Sequence, residues 1–227
     1  MTIGIGFLCS DGVVICADRQ MTGAGFKFED SKIYIFYAGE SVFAFTYAGD
    51  PDAARMMLEK SKEALYPVMA RASEFENFGN FVSKALEPVF RDRQSKEVQS
   101  LIGGVAYNEP FLIKTKGTKV VSASADYIGF GDSSVLRYVC DLLLPSEFNV
   151  SEAQILASYL VSVAGRYVQY CGDTPDHAVI RNDRTLVTGT SGPWPDAKQR
   201  FRISEVAAGK ALRGLLLSAG TAHIEIV

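Results

Sequence analysis

The stretch TIGIGFLCSDGVVICADRQMTG, residues 2–23, decides the fold, because two apolar runs flank the turn sequence SDG. Two such runs around a short turn predict a β-hairpin. The first strand follows the initiator methionine directly, although chain ends are usually loose unless something holds them. Thr2 is therefore expected at the start of one strand, and Asp18 at the end of the next.

Length and composition favour a globular protein with a large core. The chain has 227 residues, of which 48% are hydrophobic, enough for one large domain or two small ones. Its net charge of −3 argues against a nucleic-acid-binding surface. The start lacks a charged segment before a long apolar run, and no apolar stretch approaches the ~20 residues that span a bilayer. We therefore expect a soluble cytoplasmic protein without nucleic-acid or membrane partners.

The cysteines and histidines do not suggest a metal site. No CxxC pair occurs and only two histidines are present, so no zinc site is predicted. His177 and His223 are expected to have structural or surface roles. The cysteines are expected to be reduced and mostly buried, as in the cytoplasm; they are Cys9, Cys16, Cys140 and Cys171.

A second hairpin and a helix follow the first hairpin. The sequence predicts a loop over 23–30 and strands at 32–36 and 41–49. The many apolar residues of these strands indicate a sheet covered on both faces. Asp50 and Pro51 suit the cap and the first turn of a helix.

The rest of the chain continues in alternating groups of strands and helices. Pro67 is expected to kink or end the first helix. The later elements are predicted as a helix at about 75–94, strands at 100–107, 110–116 and 119–125, helices at 134–144 and from Ser151 as a cap, and a hairpin at 177–189. This order lacks the alternation of a parallel sheet. It predicts an α+β fold of antiparallel sheets with helices outside, in a single domain over 1–227.

Thr2 has a chemical property that an internal threonine lacks. Removal of Met1 before a small residue would leave Thr2 with a free α-amine beside its own hydroxyl. Such an amine has a pKa of ~7.7–8.0, so it accepts a proton near neutral pH. A threonine hydroxyl is a weak nucleophile that needs an adjacent base, and a terminal threonine carries both groups.

Three further residues at strand ends complete this chemistry. A lysine cation near the amine would lower the amine's pKa by like-charge repulsion, and an aspartate would hold that lysine. The first hairpin supplies Asp18, and the next strand begins at Lys32. Gly49, just before a helix, has a backbone N–H that is suited to stabilising an oxyanion.

These residues resemble the β-type subunits of the proteasome family, which are N-terminal nucleophile hydrolases of the threonine type. The resemblance rests on TIGIGF and DGVVICADRQMTG, then SKI, then YAGDPDAARMM, and covers about residues 1–60. Beyond them, the element order agrees with the family's four-layer αββα sandwich of two antiparallel sheets flanked by helices. The start at Thr2 resembles the bacterial members, both the heat-shock peptidase subunit and the ancestral β-type proteins.

The resemblance implies roles and partners. The catalytic roles fall to Thr2, Asp18, Lys32 and Gly49. The backbone of Thr22 is expected to pair with an extended substrate, while Met21 and Tyr47 shape the specificity pocket. A polypeptide substrate, a self-assembled ring or related homo-oligomer and an ATP-dependent unfoldase partner are implied, with no cofactor and no metal.

Two segments depart from the family pattern. Where the family has a G-S-G turn with a supporting serine, this chain has GFGDS at 129–133. Phe130 cannot donate a hydrogen bond, so the support comes from Ser133 or Ser134 or is missing. The family's later Asp-x-x-Ser turn is matched only by shifting the register to Asp173.

Three functions remain open on the sequence. The leading one is a proteasome-like threonine hydrolase that cleaves peptide bonds inside an oligomer. The second is an inactive structural subunit or assembly protein, which retention of Met1 or the departure at Phe130 would favour. The third is a related amidase that acts on a small molecule or a specific conjugate.

Overall fold

The computed structural model describes residues 2–23, 26–69, 78–91, 97–129, 149–167 and 171–190. All of them lie in the compact unit Met1–Ser191. The predicted helix at 134–144, Cys140 and His223 lie outside the described residues. The single domain over 1–227 includes a segment, 192–227, that also lies outside them, and it stays a prediction.

Twelve strands and three helices are present in these ranges. The strands are β1 (Gly4–Cys9), β2 (Gly12–Asp18), β3 (Gln20–Gly23), β4 (Phe26–Glu29), β5 (Ile33–Ala38), β6 (Ser41–Gly49), β7 (Val98–Ala106), β8 (Glu109–Lys116), β9 (Lys119–Ser122), β10 (Ala125–Ile128), β11 (Pro175–Arg181) and β12 (Leu186–Thr190). The helices are α1 (Pro51–Met69), α2 (Phe78–Phe90) and α3 (Val150–Tyr167).

The strands form two five-stranded antiparallel sheets and a small ribbon. The first sheet has the order β10-β1-β2-β11-β12, and the second has the order β5-β6-β7-β8-β9. β1 and β2 pair as the predicted hairpin, with Gly4 opposite Ala17 and Cys9 opposite Gly12. β3 and β4 form the separate ribbon. The prediction of a loop over 23–30 is wrong for residue 23, which ends β3, and for 26–29, because the chain turns back and pairs residue 26 with residue 23.

Three apolar layers separate the sheets and helices. α1 and α2 cover the outer face of the second sheet, and α3 covers the outer face of the first. A third layer lies between the two sheets and includes Val13, Ile15 and Leu101. Complete burial of each such side chain contributes about 1.5–3 kcal/mol to the free energy of unfolding. The described residues therefore form the predicted αββα sandwich, and the α+β fold class is confirmed.

Small residues let the two sheets approach each other closely. A Cβ at Gly6 would lie 2.7 Å from a methyl group of Leu112. A Cβ at Gly103 would lie 2.8 Å from a methyl group of Val13. The GIG sequence of β1 thus places main chain rather than side chains at the sheet interface, which brings this hairpin close to the second sheet.

Helix caps agree with the sequence for α1 and differ for α3. Asp50 Oδ1 accepts a hydrogen bond from the Ala53 amide at 2.7 Å, so the predicted cap is confirmed. α1 continues past Pro67 only to Met69.

The free cysteines that the structure describes are buried, as predicted; they are Cys9, Cys16 and Cys171. No helix in the described ranges has the length and apolar character to cross a membrane.

The N-terminal cap of α3 is Asn149, and the prediction of Ser151 is wrong. Asn149 Oδ1 accepts from the amides of Ser151 and Glu152, each at 3.0 Å. Glu152 Oε2 in turn accepts from the Asn149 amide at 3.2 Å. This reciprocal capping box satisfies three amides at once, whereas Ser151 lies already inside the helix.

Asn149→Ala is expected to lower the free energy of unfolding by about 1 kcal/mol, because helix amides lose their acceptor. Ser151→Ala is the matched control and should not lower the free energy of unfolding, since this exposed serine caps no amide and alanine is the better helix former by less than about 0.7 kcal/mol. Urea unfolding followed by circular dichroism measures both. A larger loss for Ser151→Ala than for Asn149→Ala would contradict the assignment of the cap.

Candidate active site

The carboxylate of Asp18 forms a fully buried ion pair at the end of β2. Lys32 Nζ donates to Asp18 Oδ1 at 3.0 Å and to Oδ2 at 2.9 Å. The side chains of Lys32 and Asp18 are 1% and 0% exposed, respectively. Lys32 precedes β5 in the other sheet, so the pair joins the two sheets at the ends of their strands.

Three backbone amides also donate to Asp18. The Ile3 amide binds Oδ1 at 2.9 Å, while the amides of Gln20 and Gly172 bind Oδ2 at 3.2 and 2.9 Å. A buried ion pair is tolerated only where further hydrogen bonds satisfy its remaining lone pairs. These amides meet that requirement, and they give the carboxylate a single orientation.

The same contacts position Thr2. Besides donating its amide to Asp18, Ile3 accepts a hydrogen bond at its carbonyl from the Asp18 amide at 3.1 Å. Thr2, one residue earlier, is 7% exposed. On its other side lies Gly129, where a Cβ would approach the Thr2 carbonyl oxygen to 1.7 Å. The Thr2 main chain is therefore held between Ile3, whose amide binds Asp18, and Gly129, which follows β10.

The electrostatics of the site follow from burial. Burial lowers the pKa of the Lys32 ammonium, and the nearby Asp18 carboxylate opposes that shift. Burial also raises the pKa of the Cys171 thiol to about 11, with the Asp18 charge adding to the effect. Cys171 is thus a protonated neighbour of the pair at neutral pH. No cluster of potential metal ligands occurs in the part of the chain that the structure describes.

Gly49 ends β6 and is exposed immediately before α1. Its φ is +126°, a conformation that side-chain-bearing residues rarely adopt. A Cβ here would lie 1.9 Å from the Glu97 carbonyl oxygen. The backbone at this position therefore requires glycine for two independent reasons.

The predicted substrate-binding residues lie on two elements. Met21 and Thr22 lie in β3, opposite Phe28 and Lys27 of β4. Tyr47 lies in β6, is 2% exposed and packs in the layer under α1 and α2. Its ring stacks on that of Tyr34, with centroids 6.1 Å apart. The substrate-binding roles of these residues stay predictions.

Two segments, at 129–133 and at Asp173, depart from the family pattern. Ser133, Ser134 and Phe130 lie outside the described residues, as does Met1. Asp173 accepts a hydrogen bond at its main-chain carbonyl from Ser162 Oγ at 3.2 Å. Its register-shifted role therefore stays a prediction.

Sequence reasoning missed the contacts that come from main chain or from distant segments. The amides of Ile3, Gln20 and Gly172 carry no side-chain signature, so residue type does not reveal them. The one indirect signal in the sequence is that residue 172 is a glycine. The structure gives the reason, since a Cβ there would lie 2.9 Å from Gln20 Cβ. Gln99 was also missed, and its amide oxygen accepts from the Gly129 amide at 3.3 Å.

The four layers define the fold of this chain as an αββα sandwich of two antiparallel sheets between helices. Among similar solved structures is the Anbu (Gly-1) mutant from Hyphomicrobium sp. strain MC1, at 19% identity, 97% coverage of this chain, 100% coverage of that chain and a TM-score of 0.73. Another is Anbu from Yersinia bercovieri, described as an ancestral beta-subunit, at 15% identity, 99% coverage of each chain and a TM-score of 0.68.

A third similar structure is the helical assembly of the Anbu complex from Pseudomonas aeruginosa. Its chain is 14% identical, and the match covers 93% of this chain and 96% of that chain, with a TM-score of 0.65. No family model and no curated protein matches the sequence. At these identities the likeness establishes the fold. Of the two bacterial groups that the sequence resembles, these neighbours represent the ancestral β-type.

Proposed function

We propose that this chain is a proteasome-like threonine hydrolase that cleaves peptide bonds with Thr2 after removal of Met1. The observation that carries the proposal is the buried Lys32–Asp18 pair, whose carboxylate also binds the amide that directly follows Thr2. The order of the strands does not by itself require Lys32 and Asp18 to be in contact, nor their charges to be buried. The arrangement supports a site in which Thr2, once Met1 is removed, provides the nucleophile and the base, and Lys32 provides the cation.

In the proposed reaction, Thr2 Oγ attacks the carbonyl carbon of the scissile bond while the α-amine takes the hydroxyl proton. The Gly49 amide donates to the oxyanion of the tetrahedral intermediate. The C–N bond then breaks, and the ammonium returns its proton to the leaving amine, which leaves an ester on Thr2. Water attacks this ester with the amine again as base, so that the acid product leaves and the hydroxyl is restored.

Lys32 and Asp18 act on the base rather than on the substrate. An ammonium beside an amine disfavours a second positive charge and keeps the amine neutral, as the base must be. Asp18 orients that ammonium, because both of its oxygens bind Nζ. Its bond to the Ile3 amide then ties the same carboxylate to the nucleophile's main chain.

An extended polypeptide is the proposed substrate. Within the described residues β3 pairs only with β4, so an added strand has an edge available at Thr22. Main-chain pairing of this kind binds peptides with little dependence on sequence, while side-chain pockets supply preference. Met21 in β3 and Tyr47 in β6 are the proposed pocket residues.

The proposal includes a homo-oligomer in the cytoplasm. A peptidase that accepts extended chains would degrade cellular proteins unless its sites were enclosed. The Anbu complex from Pseudomonas aeruginosa, which has this fold, forms a helical assembly. We extend self-assembly to this chain on that basis, with an ATP-dependent unfoldase as the partner that would deliver unfolded substrates.

Covalent labelling tests the proposed function. Intact mass and N-terminal sequencing, with and without a peptide epoxyketone or a β-lactone, should show loss of Met1 and a single adduct on Thr2. Thr2→Ala should give no adduct, whereas Thr2→Ser, which keeps the hydroxyl, should still be labelled. Retained Met1 without an adduct would exclude the enzyme and favour a structural subunit. Fluorogenic peptides then distinguish a peptidase from an amidase of narrow specificity.

A further inference from the structure

A side chain from β7 reaches the main chain beside the candidate nucleophile. Gln99 of β7 lies directly opposite Ala48 of β6 in the second sheet, and Ala48 immediately precedes Gly49. Its Oε1 accepts from the Gly129 amide at 3.3 Å. Gly129 follows β10, which belongs to the first sheet, so this hydrogen bond spans the two sheets.

Gly129 in turn packs on Thr2. Its φ is +91°, and a Cβ there would lie 1.7 Å from the Thr2 carbonyl oxygen and 2.9 Å from Ala48 Cβ. The residue therefore fills a narrow gap between the Thr2 main chain and β6. A side chain at this position would overlap the Thr2 carbonyl, so the placement of Gly129 and that of the Thr2 main chain depend on each other.

We propose that Gln99 is a positioning residue that holds Gly129 against the Thr2 main chain. This inference rests on the proposed function of Thr2. The Thr2 segment would then be fixed on two sides, by Asp18 through the Ile3 amide and by Gln99 through Gly129. Phe130, which follows Gly129, has no hydrogen-bonding side chain, and Gln99 supplies a polar contact to this turn from the opposite sheet.

The expected effect is on the chemical step. Reacting groups that are misplaced by about 1 Å can lose on the order of 100-fold in rate, although they touch the same substrate. Gln99→Leu keeps the size of the side chain but removes the acceptor, and it should lower kcat on the order of 10- to 100-fold by that misplacement. Because Gln99 acts through Gly129, KM should change much less than kcat.

Two further variants make the test specific. Gln99→Glu keeps an oxygen acceptor for the Gly129 amide and should restore most of kcat. Gln154→Leu is the matched control, because the side chain of this glutamine hydrogen-bonds to His177 at 2.8 Å, between α3 and β11. It should leave kcat at the wild-type value.

Hydrogen exchange by mass spectrometry provides a readout that does not need activity. The Gly129 amide, within a peptide that spans β10, should exchange faster in Gln99→Leu than in wild type, Gln99→Glu or Gln154→Leu. Circular dichroism checks that each variant is folded. Unchanged exchange in Gln99→Leu overturns the inference even if Thr2 is catalytic, and so does faster exchange with unchanged kcat.

The failure of the proposed function would look different. Wild-type protein without an adduct on Thr2 and without peptidase activity would reject the enzyme. Exchange at Gly129 would still report whether Gln99 holds this turn against Thr2. A loss of kcat in Gln99→Leu that Gln99→Glu fails to rescue would also contradict an acceptor role.

Discussion

Lys32→Met is expected to lower the free energy of unfolding by about 3–5 kcal/mol, the cost of breaking a buried ion pair by removing one partner. Methionine fills the space of the lysine stem without its charge. The Asp18 carboxylate would keep its three amide donors but lose the ammonium that binds both oxygens. Neither charge reaches solvent in the folded protein, so water cannot replace the lost partner.

Lys62→Met is the matched control for this prediction. Lys62 pairs with Glu59 at 2.7 Å on α1, but the two side chains are 36% and 60% exposed. Such a surface pair contributes about 0–1 kcal/mol, because water screens and replaces it. Urea unfolding at a fixed protein concentration measures both variants, since self-association would make the midpoint depend on concentration. Similar losses in the free energy of unfolding for Lys32→Met and Lys62→Met would show that the buried pair stabilises the fold no more than the surface pair does.

Gly49→Ala is expected to lower kcat by about 10²–10³-fold, the usual effect of losing one oxyanion-hole donor. The added Cβ would overlap the Glu97 carbonyl oxygen at 1.9 Å, and the overlapping atom belongs to main chain that cannot rotate away. The end of β6 must therefore move, and the Gly49 amide moves with it. The φ of +126° adds roughly 1–3 kcal/mol of strain for a residue with a Cβ.

Gly39→Ala separates conformational strain from displacement. Gly39 also has a positive φ, +58°, but a Cβ there meets nothing within 4 Å. Its replacement should lower the free energy of unfolding by about 1–2 kcal/mol, the cost of the left-handed conformation, and leave kcat unchanged. Steady-state kinetics with a fluorogenic peptide and urea unfolding provide the two readouts. A Gly49→Ala variant with wild-type kcat would remove Gly49 from the proposed mechanism.

Much of the fold could be predicted because its signals are local. The alternation of apolar runs and turns predicted the β1–β2 and β5–β6 hairpins, and Asp50 predicted the start of α1. The errors came where two local signals compete. Ser151 and Asn149 are both good caps, and only the position of the first helical turn distinguishes them. The β3–β4 ribbon was missed because its glycines suggested a loop.

The sequence by itself determined which side chains stand at strand ends, because strand periodicity and turn chemistry are properties of neighbouring residues. On that basis Asp18, Lys32 and Gly49 could be predicted to lie near Thr2. Only the tertiary structure decided that Lys32 is buried on Asp18, that the Gly172 amide arrives from 154 residues away, and that Gln99 meets Gly129 across the two sheets. Main-chain donors are the same in every residue except proline, so no pattern of residue types marks the ones that converge on a site.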